Sequence, residues 1–214
     1  MGEKKDDEPF LRLWDAAFED DEMKASMLLA MGEDVNQQDP DTGSTPLYVA
    51  AQCGNVKVMN VLIKDGGADI NRAKKDGATP LCAASQFGKF EAAMILIEAG
   101  ADTETPRNTD VAPPLHIAVI KNNMEMVMTL VDAGINVNQR WKEGVTPLFV
   151  AAKFGRADMV RMLIKLGANI NAASQKEGGA TPICAAAQFG QSMVVNILEK
   201  AGADRRPAEA LGFL

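Results

Sequence analysis

The chain has 214 residues, 47% hydrophobic and 24% charged, the balance of a globular protein able to bury a core. Its formal net charge of -7 and pI near 4.8 argue against a broad basic surface for nucleic acid and toward protein partners. The opening MGEKKDDEPF lacks the apolar segment of a secretory signal, and no apolar run reaches membrane-spanning length, so the expectation is an intracellular protein, cytoplasmic or nuclear, without membrane insertion. Cys53, Cys82 and Cys184 are too few for a disulfide scaffold and lack metal-ligand spacing; they read as small core residues.

A charged tail is expected at 1–8. The stretch LRLWDAAF then opens a first unit near residue 11, with Leu13, Ala16 and Ala17 at the positions that Leu47, Ala50 and Ala51 hold in TPLYVAAQCGN. That second unit begins at Thr45, and further units begin at Thr79, Pro113, Thr146 and Thr181, at spacings of 34, 34, 33 and 35 residues. A fixed period in this range is the mark of a solenoid of about six stacked supersecondary units.

Each unit predicts two helices. Thr45 can cap a helix by accepting from its first free N–H groups, and Pro46 fits the first turn because it has no N–H to leave unpaired. The pairs Ala50–Ala51, Ala83–Ala84, Ala151–Ala152 and Ala185–Ala186 are small helix formers that let neighbouring helices approach closely. Gly54, Gly88, Asn122, Gly155 and Gly190 then supply residues that tolerate the left-handed backbone ending a helix. A second helix follows, with apolar residues such as Val58, Met59, Leu62 and Ile63 at helical spacing, closing on GADIN, GINVN or GANIN. Polar, turn-rich stretches such as NRAKKDGA suit a hairpin-like connection to the next unit.

The fourth unit departs most. It reads TETPRNTDVAPPLHIAVIKNN, with Pro113 in place of the capping Thr and Asn122 in place of the terminal Gly, so the Thr103–Ala112 loop is expected to be the least regular connection. Added residues near Pro40–Thr42, at Gly66–Gly67 and at Gln175–Gly179 fall in loops. Met94 and Met128 recur at an outer position of the second helix. The polar, acidic DAAFEDDEMK suits a soluble cap at the first unit, and residues 207–214 read as a tail over the last.

The stretch DGATPLCAASQFGKFEAAMILIEAGAD at Asp76–Asp102 resembles the ankyrin repeat family, as do the other copies, over roughly Pro9 to Asp204. The resemblance implies an all-α repeat solenoid, stacked antiparallel helix pairs joined by β-hairpin-like loops, in a single domain spanning 9–206 whose first and last repeats act as caps. It implies partner contact through a concave helix face and the loop tips. The residues after each Ala pair lie there by resemblance: Gln52 and Cys53, Gln86 and Phe87, Ile120 and Lys121, Lys153 and Phe154, Gln188 and Phe189. Trp141, at a loop tip beside Lys142, is a further candidate contact. His116, the only histidine, occupies a place where the family uses a structural hydrogen bond.

No nucleophile, acid–base pair, phosphate loop or metal constellation is assembled in the sequence, so the expected role is a non-catalytic protein-binding module, needing no cofactor or metal and acting as a monomer: a scaffold, inhibitor or regulator. The alternatives are an adaptor subunit of a larger assembly, or a substrate of asparagine hydroxylation, for which Leu28/Asn36, Leu130/Asn138 and Leu163/Asn171 match the family's eight-residue spacing.

Overall fold

The computed structural model describes residues 9–104, 110–175 and 178–214, with side chains from residue 13 onward. The tail at 1–8 and most of the expectation for the Thr103–Ala112 loop lie outside the described residues. Backbone contacts divide the chain into two compact units, Met1–Val111 and Ala112–Leu214.

In the first unit, α1 (Pro9–Glu19), α3 (Pro46–Cys53) and α5 (Pro80–Phe87) pack side by side, and α2 (Glu22–Ala30), α4 (Val56–Lys64) and α6 (Phe90–Glu98) form a second row behind them. In the second unit, α7 (Pro114–Ile120), α9 (Pro147–Lys153) and α11 (Pro182–Gln188) make the first row. Each is paired with a following helix: α8 (Met124–Asp132), α10 (Ala157–Lys165) and α12 (Ser192–Lys200). The C-terminal segment carries α13 (Arg206–Ala210), which packs on α11 with Ala208 fully buried.

The local chemistry follows the repeat phrase. Thr45, Thr79 and Thr146 cap α3, α5 and α9, their hydroxyl oxygens accepting from the backbone N–H of Tyr48 at 3.1 Å, Cys82 at 3.3 Å and Phe149 at 3.3 Å. Thr181 makes no such bond; its Oγ1 lies 3.2 Å from Cys184 Sγ. The first helices end in left-handed backbone, and two of these places are held by residues other than glycine: Asn122 and Asp20, each with φ of 57°. Their short polar side chains tolerate that conformation better than other L residues do. Asp20 gives the first repeat the same stop as its neighbours, although no Gly or Asn marks it.

The alanine pairs are at most 1% exposed, so α3 and α5, or α9 and α11, meet nearly backbone to backbone. Behind them Leu28, Leu62, Leu96, Leu130, Leu163 and Leu198 recur once per repeat on the second helices, none more than 2% exposed. No single repeat could enclose such a leucine alone, so burial depends on stacking.

Among the described residues no strand forms. The connections close through single rungs, such as Asp39 N to Ser44 O at 2.9 Å and Lys74 N to Ala78 O at 3.0 Å, and one isolated bridge joins Trp141 and Val145. Asparagine side chains tie successive loops together. Asn36 Oδ1 accepts from Asp69 N at 2.8 Å and Asn71 Oδ1 from Asp102 N at 2.8 Å in the first unit. In the second, Asn138 Oδ1 accepts from Asn169 N at 2.6 Å and Asn171 Oδ1 from Asp204 N at 2.9 Å. Asn138 also donates from Nδ2 to Gly167 O at 3.2 Å. Asn138→Ala is therefore expected to lower unfolding stability by about 1–2 kcal/mol, because two backbone groups lose their partners at a partly hydrated site. Urea unfolding measures this, and a loss below a few tenths would show these bonds to be exchangeable with water.

Candidate binding surfaces

Residues just after the alanine pairs are where the first helices emerge from the core. In α5, Pro80 to Ser85 are buried while Gln86 and Phe87 are exposed; in α3, Gln52 and Cys53 are half-buried. Phe18 holds the corresponding place in α1 and is 59% exposed. Its ring stacks parallel to Trp14, centroids 6.0 Å apart. The two rings border a hollow of about 280 Å³ whose wall includes Tyr48, Gln52, Cys53 and Lys74. Lys74 Nζ sits 5.5 Å from the Tyr48 ring centroid and 2.9 Å from Asp76. The Asp76 bond holds the ammonium pKa above its usual range, and burial pushes the Tyr48 hydroxyl up. Burial also raises the Cys53 thiol, which keeps it protonated and a poor nucleophile.

Phe18 and Trp14 are the residues that sequence reading missed. The signal was present: once Leu13, Ala16 and Ala17 are set on Leu47, Ala50 and Ala51, Phe18 falls on Gln52.

In the second unit, Ile120 is half-buried and Lys121 exposed. Lys153 and Phe154 are exposed at the end of α9, and Gln188 and Phe189 at the end of α11. Lys153 Nζ lies 4.9 Å from the Phe189 ring centroid, a cation over an aromatic face spanning two repeats. Phe87, Phe154 and Phe189 are 47%, 51% and 50% exposed, so each ring half-packs and half-projects.

Trp141 does not project as expected of a tip residue. Its loop closes on itself, with Trp141 N donating to Val145 O at 2.8 Å and Gly144 N to Trp141 O at 2.9 Å, through a 3-10 turn at Lys142–Gly144. The half-buried indole packs against His116, ring centroids 6.0 Å apart and tilted by 58°, and its Nε1 is buried without a hydrogen-bond partner. Lys142 alone of the pair faces solvent. His116 is buried, its Nε2 3.0 Å from Val145 O. The carbonyl can only accept, so Nε2 carries the proton and Nδ1, also buried and unpartnered, is bare. Burial lowers the imidazole pKa from 6.5 to about 4, against the opposing effect of the Val145 bond.

The three cysteines are reduced thiols. Among the described residues no group of three or more His, Cys, Asp or Glu is arranged to hold a metal ion, and no helix is long and apolar enough to cross a membrane.

The profile of the ankyrin repeats, three copies, matches residues 13–107 and again 115–207. The chain belongs to the ankyrin repeat family. Among solved structures, the crystal structure of the human ASB11 ankyrin repeat domain is similar, with 30% identity, a TM-score of 0.74, and coverage of 90% of this chain and 84% of that one. No curated protein matches. Ankyrin repeats are in general protein–protein interaction modules and typically non-catalytic.

Proposed function

We propose that this ankyrin protein binds one partner protein through the exposed ends of its first helices and the adjoining loops, without catalysis, as a scaffold, inhibitor or regulator. The supporting observation is the placement of Phe18, Phe87, Phe154 and Phe189, 47–59% exposed, at the C-terminal ends of the first helices, where the chain leaves the core. Three of these rings share one repeat position and Phe18 holds the adjacent one, and together they offer anchors of the kind that dominate interface energy. Lys121 and Lys153 add charge beside the aromatic positions of the second unit. The partner segment that fits presents apolar side chains to the rings and acidic groups to the lysines.

The test compares partners captured from a cell extract by the wild type and by Phe154→Ala/Phe189→Ala and Phe18→Ala/Phe87→Ala variants. A partner retained by the wild type and weakened at least about tenfold by either pair supports the reading. Equal capture by all three proteins, each verified as folded, rejects it. Trp141 is unsuited to this test, because its removal would expose the His116 core.

A further inference from the structure

The second helices should present polar groups to solvent, and α2, beside its exposed Glu22 and Ser26, presents a line of methionines. Met23, Met27 and Met31 are 84%, 57% and 65% exposed, on one line along α2 and its C-terminal cap. Residues four apart share a helix face, and three such side chains make a stripe about 12 Å long. The opposite face of α2 is apolar too, with Ala25 and Leu28 buried in the core. The acidic cap expected from DAAFEDDEMK thus carries an uncovered apolar seam.

The repeat does not require this. Where the first repeat has Met23, the next four have Lys57, Glu91, Glu125 and Asp158, all exposed, and only the last has a methionine, Met193; where it has Met31, the second has Asp65 and the others the smaller or shorter apolar Ala99, Ala133, Leu166 and Ala201. Charged residues satisfy the fold at both places. Three methionines in line, two of them where a charged residue would serve and the third 57% exposed, leave an apolar seam that calls for something to cover it.

The charges around the seam say what. Glu19, Asp20, Asp21 and Glu22 gather at the start of α2, and Glu33 and Asp34 follow its end. Lys24 is the one base on α2, and its Nζ lies 3.5 Å from Glu19. With Lys57 and Lys64 of the adjoining α4 and Asp65 at its end included, this end of the chain holds seven acids against three bases. Unbranched, polarizable methionines adapt to the irregular side chains of a visiting helix. We infer that the outward face of α2 is a second docking surface, whose occupant is a basic amphipathic helix of a partner protein seated along Met23, Met27 and Met31, with Lys or Arg at both ends of its apolar stripe.

The probe is a synthetic helical peptide with leucines at i, i+4 and i+8 and lysines at both ends, alongside a twin carrying glutamates in place of the lysines. Binding to the full chain is followed by peptide fluorescence anisotropy and by the methyl NMR signals of the methionines. The lysine peptide is expected to bind and to move the signals of Met23, Met27 and Met31 while leaving Met128 and Met193 in place. Met23→Gln/Met27→Gln should weaken binding at least about tenfold without changing the circular dichroism spectrum. Should that pair perturb folding, Met31→Gln, beyond the last turn of α2, gives the same readout with a smaller loss. The proposal is overturned if neither peptide binds, if both bind alike, or if the Gln variants leave affinity unchanged, which would reduce the effect to charge attraction. It is overturned equally if the three methyl signals shift with protein concentration alone, which would make the occupant a second copy of this chain.

Discussion

Leu62→Ala is expected to lower the unfolding free energy by about 2–5 kcal/mol. Leu62 has no exposed surface, and α4 is packed against α3 of its own repeat and α2 and α6 of the two neighbouring ones, so the backbone around it is held and cannot collapse into the space left behind. The loss combines the missing hydrophobic transfer with a cavity that remains largely open. Against a total stability of about 5–15 kcal/mol, it removes a large fraction. The same change at Leu28 should cost less, because among the described residues α2 has a neighbouring second helix, α4, on one side alone. Urea unfolding at unchanged slope measures both. A loss below about 1 kcal/mol at Leu62, or a larger one at Leu28, would contradict the stacked-leucine account of stability.

The second large effect is of pH. His116 titrates near 6.5 when unfolded and near about 4 when folded, so between those values the unfolded chain binds the extra proton. Stability therefore rises with pH across this window, at about 1.4 kcal/mol per pH unit, and roughly 3 kcal/mol is lost on acidification from 6.5 to 4. The carboxylates of Asp39, Asp76 and Asp204 have lowered pKa values and act below that window. For Asp39 the main cause is the Thr42 N–H, for Asp204 the Arg206 side chain; for Asp76, burial opposes the shift but is outweighed by the Ala78 N–H and Lys74. The stability supplied by these groups is present above 3.8 and lost as pH falls through their folded values. His116→Gln should flatten the dependence between pH 4 and 6.5 and spare the lower limb. Trp141→Ala, which opens one wall of the imidazole site to water, should narrow the window by returning the pKa toward 6.5. Parallel pH profiles for wild type and His116→Gln would show that the imidazole is already hydrated.

Much of the fold was legible because its determinants are local. A Thr–Pro start, an alanine pair and a Gly or Asn stop act within a few residues, and they locate α3, α5, α9 and α11 from the sequence alone. Asp20 was not legible as a helix stop, since an aspartate takes left-handed backbone only where the flanking helices fix the turn. The inward turn of Trp141 depends on His116, distant in sequence. Periodicity also could not say which side of α2 would be covered, because Ala25 and Leu28 on one face and Met23 and Met27 on the other are both apolar. Among the candidate contacts, the half-exposure of Phe87, Phe154 and Phe189 follows from their repeat position, whereas the Lys153–Phe189 contact needed the stacked geometry.

The asparagine bonds have a mechanical consequence. Each joins a loop only to the loop of the next repeat, 31 or 33 residues on. Links arranged in this way lie in series within each unit, so a pull across the unit loads them alike and the weakest layer gives first. Each unit should therefore yield under tension in steps of one repeat, at forces set by a single layer, and shorten again in the reverse order when released.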